Sequence, residues 1–352
     1  MARRYVGLKD VASLAGVSFQ TVSKVLNGRD VRVSSETAER IRAVAAELGY
    51  LPNAVARSLV GRATRTVGLI AGNLGDPALA EFAVGADLAA REHGLAVLIG
   101  NLTDAGDGGA DVARLLVERR VDGIIAAAPQ LEEDLGVAEV LRSTVPSVSL
   151  HHVPGGGVSM VGSNHREVGW VAADHLICCG RRVIGTVAGP FRRRVVRSRL
   201  RGLEQRLSEE GVDHGEDLVV EADWSPKGAA IATRLLLERV PLLDGIFVHS
   251  DLMAVGVLES IEASGRRVPE DVAVVSCDDL SFAAYLQPTL TTVRVPLRET
   301  GVQAVEMLLG RLSGEDLDIQ TVLLPVELVV RKSSGACRAE SAAPSCNGPK
   351  PS

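Results

Sequence analysis

The stretch DVASLAGVSFQTVSKVLNG, residues 10–28, decides the fold of the N-terminal part of the chain. Its apolar residues keep a helical spacing up to Ala15, and Gly16 then permits a tight turn. Ser18 is suited to cap a second helix that runs to about Leu26, because its hydroxyl accepts a hydrogen bond from the first helical turn. Two short helices joined by a tight turn predict a helix-turn-helix module.

The residues after this module predict a third helix and then a hinge. Ser34 is a second capping residue, and the stretch AERIRAVAAELGY places its apolar residues on one helical face. These three helices predict a small all-α domain over residues 1–50. Pro52 then interrupts the chain, and a short hinge helix with its linker is predicted over residues 51–63. Because so short a helix is unstable alone, we expect its folding to be coupled to binding.

Beyond Thr66 the pattern changes to short, almost continuous apolar runs that alternate with helical segments. The runs are TVGLIAG, LAVLIGN, VDGIIAAA, VPSVSL, RRVIGTVAG, DGIFVHS and VAVVSCDD. Such runs indicate strands buried on both faces of a parallel sheet, and their alternation with helices indicates βαβ units. We therefore predict an α/β core of two parallel-sheet subdomains, each with five to six strands, over residues 64–332.

The core is expected to divide into two discontinuous subdomains, which a tail follows. The last stretch of the chain lacks periodicity and is rich in Ser, Ala, Gly and Pro, which is typical of disorder. We expect an N-subdomain at about residues 66–163 plus 295–322, a C-subdomain at about residues 164–293 plus 323–332, and a disordered tail at residues 333–352.

Charge is distributed unevenly along the chain. Residues 1–65 contain eleven Lys and Arg against five Asp and Glu, although the whole chain of 352 residues has a formal net charge of −6. A basic segment on an acidic body can approach DNA phosphates while the body stays soluble. The predicted partner of the N-terminal helices is therefore double-stranded DNA.

Several classes of protein are not favoured by the sequence. The N-terminus has no apolar segment of a secretory signal, and no apolar run is long enough for a membrane span. The five cysteines contain no C-x-x-C pair, so neither a disulfide framework nor a zinc site is expected. We expect a cytoplasmic protein without cofactor or metal, and the absence of G-x-G-x-x-G, P-loop and G-x-S-x-G motifs argues against an enzyme.

The chain resembles the lactose-repressor family of bacterial transcription regulators. The stretch quoted first, followed by VSSETAERIRAVAAELGYLPNAVARSLVG, is similar to that family's DNA-binding domain and hinge. HSDLMAVGVL, VPEDVAVVSCDD, PTLTTVRVP and LPVELVVRKS are similar to its effector-binding core, whose fold is that of periplasmic binding proteins. The resemblance covers residues 8 to about 332.

The resemblance places Phe19, Gln20 and Lys24 at base-reading positions. A glutamine can bind adenine, a lysine can donate to guanine, and a ring can pack on a thymine methyl group. The family often has a tyrosine at the position of Phe19 and an arginine at that of Lys24, so the operator need not be the usual one. The alternatives are that Phe19 packs in the domain core and that the two polar side chains form a solvated face.

The resemblance also implies contacts with the DNA backbone and the minor groove. Leu59 is expected to insert between base pairs, while the small Ala56 permits close approach. The alternative for Leu59 is a linker residue packed against the core. The expected phosphate contacts are Ser18, Thr21, Asn27, Ser34 and Thr37, although Ser18 and Ser34 also serve as helix caps, and the hinge residues are Asn53, Ala56, Arg57 and Leu59.

The effector cleft implied by the resemblance lies between the two subdomains. Arg199 and Asp278 match effector-binding positions, and Trp224 offers a face on which a sugar can stack, so carbohydrate is the expected ligand class. A structural cap is the alternative for Asp278. His151 stands where an aspartate is frequent. The full set of expected contacts is Asn73, Asp76, His151, Arg199, Trp224, Ser250 and Asp278.

A run of arginines modifies this expectation. The stretch FRRRVVRSRLRG contains six of them, namely Arg192, Arg193, Arg194, Arg197, Arg199 and Arg201. Arginines near a cleft favour a sugar acid or a sugar phosphate, because a guanidinium pairs bidentately with both groups. The alternative is that most of these arginines are solvated on a helix surface.

The resemblance finally implies a mechanism. A homodimer reads two half-sites of a pseudo-palindromic operator, and the effector releases it by moving the subdomains. The tail contains no leucine heptad, so a dimer is expected rather than a tetramer. The remaining alternative is a solute-binding protein of a transport system, which would need an export signal and has no use for residues 1–62.

Overall fold

The computed structural model describes residues 6–26, 33–51, 63–102, 108–314 and 318–335. The chain divides into two compact units, Met1–Thr64 and Arg65–Ser352, which we call the N-terminal unit and the core unit.

The described residues of the N-terminal unit form three helices. They are α1 (Leu8–Ala15), α2 (Phe19–Leu26) and α3 (Ser35–Glu47). Gly16 ends α1 with φ of 65°, a left-handed conformation that a residue without a Cβ adopts easily. The apolar faces meet in a small core of Val11, Ala12, Ala15, Val22, Ile41 and Ala45. The predicted helix-turn-helix is therefore confirmed.

The core unit alternates strands and helices in the described residues. The strands are β1 (Thr66–Ala71), β2 (Ala96–Asn101), β3 (Gly123–Ala127), β4 (Ser147–Ser149), β5 (Ser159–Ser163), β6 (Ile184–Ala188), β7 (Val219–Glu221), β8 (Gly245–Val248), β9 (Ala273–Asp278), β10 (Thr291–Arg294), β11 (Thr321–Leu324) and β12 (Glu327–Val329). The helices are α4 (Pro77–Glu92), α5 (Gly109–Glu118), α6 (Leu135–Ser143), α7 (His165–Cys178), α8 (Arg194–Glu209), α9 (Pro226–Arg239), α10 (Asp251–Ala263) and α11 (Leu297–Leu312), and short 3-10 turns lie at Pro129–Glu133, Glu216–Leu218 and Ser281–Tyr285.

These strands form two six-stranded sheets, as predicted. The N-subdomain sheet has the order β11-β5-β4-β3-β1-β2 and is parallel throughout. The C-subdomain sheet has the order β12-β10-β9-β8-β6-β7, with β12 antiparallel to β10. The predicted boundary between residues 322 and 323 is wrong by two residues, because β11 continues to Leu324 in the first sheet. Parallel strands bring their carboxyl ends to one edge, and ligands bind there.

Strand β2 is not buried on both faces, contrary to the sequence-based expectation. It is the edge strand of the N-subdomain sheet, and Leu98 and Ile99 are 37% and 44% exposed. Its partner on one side is β1, and among the described residues no strand pairs with its outer edge. Position in the sheet, rather than the apolar sequence, decides this exposure.

The predicted disordered tail begins too early. Ser333 and Ser334 are fully buried. The Ser333 hydroxyl donates to the Val274 carbonyl at 2.7 Å, and the Ser334 hydroxyl lies 2.8 Å from His175 Nε2 and 2.8 Å from Thr291 Oγ1. These two serines bind the end of the core to the C-subdomain, so a disordered segment cannot start at residue 333.

Glycines allow the helices to pack closely on one another. In α7 and α8, an ideal Cβ on Gly169 would lie 1.8 Å from the Arg199 carbonyl oxygen, and one on Gly202 would lie 1.8 Å from that of Arg166. No side chain fits at such a distance, so these two helices touch backbone to backbone. This crossing fixes the position of Arg199, one of the predicted effector contacts.

Candidate functional site

The second helix of the N-terminal unit presents three side chains outward. Val22 is buried against the small core, whereas Phe19, Gln20 and Lys24 are not. Phe19 is 48% exposed, so the alternative that it packs in the domain core is wrong. Residues 20 and 24 are one turn apart on α2 and therefore lie on the same side of the helix. The face combines an apolar ring, an amide and an ammonium group.

Hydroxyl groups lie at the start of α2 and of α3. Ser18 Oγ accepts the backbone N–H of Thr21 at 3.1 Å, and Ser34 Oγ accepts that of Thr37 at 3.3 Å. The side-chain oxygens of each pair are also within 2.9 Å of one another. Both serines are thus helix caps, as predicted. The other predicted backbone and minor-groove residues, Asn27, Asn53, Ala56, Arg57 and Leu59, lie outside the described residues.

In the core unit, Arg199 and Asp278 are brought together at a buried position. Arg199 is 5% exposed, and its Nη2 lies 3.6 Å from Asp278 Oδ1 at the end of β9. Its Nη1 donates to the carbonyl of His249, which follows β8. A guanidinium at the carboxyl ends of two strands offers several donors in a fixed fork. These residues form the base of what we call the cleft.

Three histidines surround this arginine, and sequence reasoning named only one of them. His151 follows β4, His165 begins α7, and His249 follows β8. His165 lies within electrostatic range of His151 and Arg199, and His249 lies within range of His165 and Arg199. In the described part of the chain, Nε2 of His151, Nδ1 of His165 and both ring nitrogens of His249 are buried without a hydrogen-bond partner.

The environment keeps these three rings uncharged. Burial lowers the pKa of His151 to about 4, assisted by Arg193, and lowers the pKa of His165 and His249 well below the ordinary range, assisted by Arg199. A neutral imidazole has one donor and one acceptor nitrogen. Within the described ranges no group of three or more potential ligands could hold a metal ion. The rings therefore suit hydroxyl groups, which also donate and accept.

Two buried carboxyl groups share the surroundings of Arg199. Burial raises the pKa of Asp278 to about 8, against the opposing effect of Arg199, and raises the pKa of Asp251 to about 6. Asp251 accepts the N–H of Leu280 at 2.7 Å and the hydroxyl of Thr292 at 2.7 Å. The hydrogen bonds to Asp251 favour its ionised form and oppose the shift of its pKa, whereas the charge of Asp251 adds to the upward shift of the Asp278 pKa. The Asp278 carboxyl group is therefore influenced by both a guanidinium and a second carboxyl group.

The turn after β9 is strained. Asp278 has φ of 115° and Asp279 has φ of 58°, both in a region that residues with a side chain rarely adopt. Asp279 is held by ion pairs with Arg294 at 2.8 Å and with Arg331 at 2.7 Å. Such strain tends to collect at binding sites, where surrounding contacts enforce it. Asp279 therefore has a structural role in the turn that carries Asp278.

The other predicted effector contacts lie at the carboxyl ends of strands. Asp76 caps α4 by accepting the N–H of Ala78 at 2.9 Å, and it lies within electrostatic range of Asp278. Ser250 caps α10, and its hydroxyl accepts the N–H of Leu252 at 3.1 Å. Asn73, after β1, is exposed and accepts the N–H of Gly75 at 2.9 Å. The Trp224 ring lies against Gly189 after β6, since an ideal Cβ there would be 2.3 Å from it.

The six arginines of residues 192–201 have different surroundings in the structure. Arg192 and Arg201 are exposed, and Arg197 donates to the carbonyls of Phe191 and Arg192. Only Arg199 is buried, because α8 turns that one side chain toward the strand ends. The remaining two, Arg193 and Arg194, meet a glutamate of the other subdomain.

This glutamate, Glu132, is a residue that sequence reasoning missed. It lies in the 3-10 turn after β3, is 8% exposed, and accepts the backbone N–H of Arg194 at 3.2 Å. Arg193 Nη1 donates to the Pro129 carbonyl at 3.0 Å beside it. Burial raises the pKa of Glu132, while Arg194, Arg193 and Arg197 oppose the shift. No local sequence signal distinguishes Glu132 from Glu133.

Known proteins resemble this chain along nearly its whole length. Residues 7–53 match the family "Bacterial regulatory proteins, lacI family". Residues 173–334 match the family "Periplasmic binding protein-like domain". The transcriptional regulator CelR of Thermobifida fusca is 35% identical over 346 residues, which cover 94% of this chain and 99% of CelR. The chain belongs to the lacI family.

Further relatives of this lacI-family protein agree with the fold. The transcriptional repressor PurR of Photobacterium profundum is 30% identical, over 93% of this chain and 98% of PurR. A lac repressor dimer solved with operator and the anti-inducer ONPF has a TM-score of 0.87 and 30% identity, over 95% of this chain and 100% of that one. A CelR–cellobiose complex has a TM-score of 0.71 and 34% identity, over 93% and 99% of the two chains.

Family membership decides between the classes considered from sequence. A lacI-family chain with a helix-turn-helix unit is a DNA-binding transcriptional regulator and not a transport protein, and its relatives are regulators rather than enzymes. Within the described residues no helix has both the length and the apolar character needed to cross a membrane.

Proposed function

We propose that this protein is a cytoplasmic, homodimeric repressor that binds a pseudo-palindromic operator and is released by a sugar in the cleft. The observation that carries the sugar assignment is the buried group around Arg199, in which the guanidinium, the Asp278 carboxyl group and the unpartnered ring nitrogens of three histidines offer both donors and acceptors. Sugar hydroxyls match such a mixed set. The structure of CelR with cellobiose, at 34% identity, makes a glucose disaccharide the first ligand to try.

The DNA-binding part of the proposal rests on α2. Gln20 is suited to bind adenine and Lys24 to bind guanine in the major groove, while the Phe19 ring packs on a thymine methyl group. Ser18, Thr21, Ser34 and Thr37 lie at helix starts, where hydroxyl groups fix the register on phosphates. The same roles are proposed for Asn27 at phosphate and for Asn53, Ala56, Arg57 and Leu59 in the minor groove.

An exposed apolar patch in the core unit supports the homodimer. Val84 and Leu88 of α4 are 41% and 46% exposed, and α4 packs beside the edge strand β2, whose Leu98 and Ile99 are also exposed. We infer that a second chain packs against this part of the core unit, because exposed apolar side chains that cluster mark protein interfaces. Analytical ultracentrifugation tests the assignment: a monomer or a tetramer would contradict it.

The experiment for the proposed function starts from purified full-length protein and a random DNA pool. Enriched sequences should share a pseudo-palindrome, and fluorescence anisotropy then measures its affinity with and without cellobiose and other sugars. Asp278→Ala is the matched variant: because it removes both oxygen atoms of the carboxyl group, it should bind the operator normally and resist release by sugar. A pool without an enriched motif would contradict the operator, and an operator complex that no sugar changes would contradict the effector class.

A further inference from the structure

The first turn of α8 is where an anionic ligand would be expected to bind. Free backbone N–H groups and the helix dipole favour negative charge at a helix start. Helix α8 has 16 residues, its N-cap residue Arg193 makes no side-chain cap, and Arg194 and Arg197 add positive charge. Arg193 is within electrostatic range of His151, so this helix start borders the cleft.

In this structure a carboxylate of the protein itself occupies that position. Glu132 Oε2 lies 3.2 Å from the backbone nitrogen of Arg194, and the side chain is more than nine-tenths buried. The glutamate belongs to the N-subdomain and the helix to the C-subdomain. A second contact, from Arg193 Nη1 to the Pro129 carbonyl at 3.0 Å, closes the same junction.

Two further arginines near the cleft also have partners inside the protein. Arg199 faces the carboxyl group of Asp278, with Asp251 behind it, and Arg197 donates to two backbone carbonyls. A phosphate or carboxylate on a ligand at this end would meet the negative charge of Glu132 and would have to displace it. An uncharged sugar meets no such repulsion.

We propose that Glu132 occupies the anion position at the start of α8 and thereby makes the cleft selective for uncharged sugars over sugar acids and sugar phosphates. The proposal rests on the proposed function for its sugar class. It also reverses the interpretation that the arginine run favours an anionic effector, because the arginines beside the cleft have a partner across the subdomain junction.

The test compares Glu132→Gln with Glu133→Gln in the full-length protein. Both variants remove one negative charge, but Glu133 is exposed and makes no contact with α8 in the described structure. Isothermal titration with inorganic phosphate should show binding to Glu132→Gln at least tenfold tighter than to the wild type. Glu133→Gln should bind phosphate with the affinity of the wild type. Any phosphate bound by the DNA-binding unit is the same in all three proteins, so it does not affect the comparison. Equal phosphate affinity of all three proteins would overturn the proposal.

A second measurement uses the wild type alone and so does not depend on the folding of a variant. Glucose is compared with glucose 6-phosphate and gluconate, and cellobiose with cellobionate. An uncharged sugar that binds at least tenfold more tightly than its charged derivatives supports the proposal, and tighter binding of a charged derivative overturns it. If no sugar of any charge binds, the proposed function fails. The phosphate comparison then still tests whether Glu132 occupies the anion position at the start of α8.

Discussion

Replacement of Gly169 by alanine tests whether the crossing of α7 and α8 positions the cleft. A Cβ at residue 169 would lie 1.8 Å from the Arg199 carbonyl oxygen and 2.9 Å from the Leu203 nitrogen. Contacts under 3.0 Å do not occur for real Cβ atoms, so the two helices must separate by about 1.2 Å at this point. Backbone atoms cannot rotate aside as a flexible side chain would.

The magnitude follows from two opposing effects. Overpacking costs typically about 1–3 kcal/mol, and the backbone contact places this substitution at the upper end. Alanine is a better helix former than glycine by about 1 kcal/mol, which offsets part of the loss. We therefore expect the free energy of unfolding to fall by about 2 kcal/mol, which for the core unit, Arg65–Ser352, lowers the melting temperature by about 3 °C.

The same displacement should weaken effector binding. Arg199 Nη2 is already 3.6 Å from Asp278 Oδ1, and a shift of the helix by about 1 Å removes the contact. Loss of a charge-assisted interaction costs about 1.5–3 kcal/mol, so sugar affinity should fall at least tenfold. Calorimetric melting and sugar titration provide the two measurements.

Gly215→Ala is the matched control for this prediction. Gly215 is exposed, has φ of −58°, and its nearest neighbour to an ideal Cβ is Asp213 Oδ1 at 3.8 Å. The control should melt within about 1 °C of the wild type, since surface changes rarely exceed about 0.5 kcal/mol. A Gly169→Ala protein with the same melting temperature and sugar affinity as this control would refute the reasoning.

Three further predictions concern DNA, pH and sugar stacking. Lys24→Ala should relax preference at one base pair of each half-site in a binding selection, and an unchanged preference would mean that Lys24 contacts only phosphate. Because burial raises the pKa of Asp278 from 3.8 to about 8, folding takes up a proton and the free energy of unfolding falls as pH rises across that interval. Asp278→Asn should reduce the slope of the free energy of unfolding against pH by up to about 1.4 kcal/mol per pH unit, as measured by urea unfolding. An unchanged slope would contradict the raised pKa of Asp278. Trp224→Ala should weaken sugar binding by about tenfold while Trp224→Phe retains most of it, and equal loss in both would contradict a stacking role.

The elements that sequence predicted well are those fixed by local signals. Ser18 and Ser34 are capping residues by type and position, and the structure shows both accepting a backbone N–H. The turn at Gly16 and the buried face of α3 follow from the same kind of information. The apolar runs of the core identified most strands, because parallel strands buried between helices need little else to be recognised.

The features that sequence did not predict depend on which segments meet in space. The runs of β2 and β3 look alike, yet only β2 lies at a sheet edge and is exposed. Ser333 and Ser334 have the composition of a tail, but Val274, Thr291 and His175 provide them with buried partners. Periodicity carries no information about such tertiary contacts.

The arginine run shows how partner geometry determines the meaning of a charge pattern. Its composition alone favours an anionic ligand, but Glu132 approaches Arg194 from a distant part of the chain and neutralises that end of the helix. This contact crosses between the subdomains, so a motion that separates them at this point breaks it. Hydrogen bonds to charged groups contribute about 1.5–3 kcal/mol, which is comparable to the roughly 1–3 kcal/mol typical of allosteric coupling. A single junction of this kind is therefore strong enough to bias the cleft toward closure, yet weak enough for a bound sugar to shift the balance.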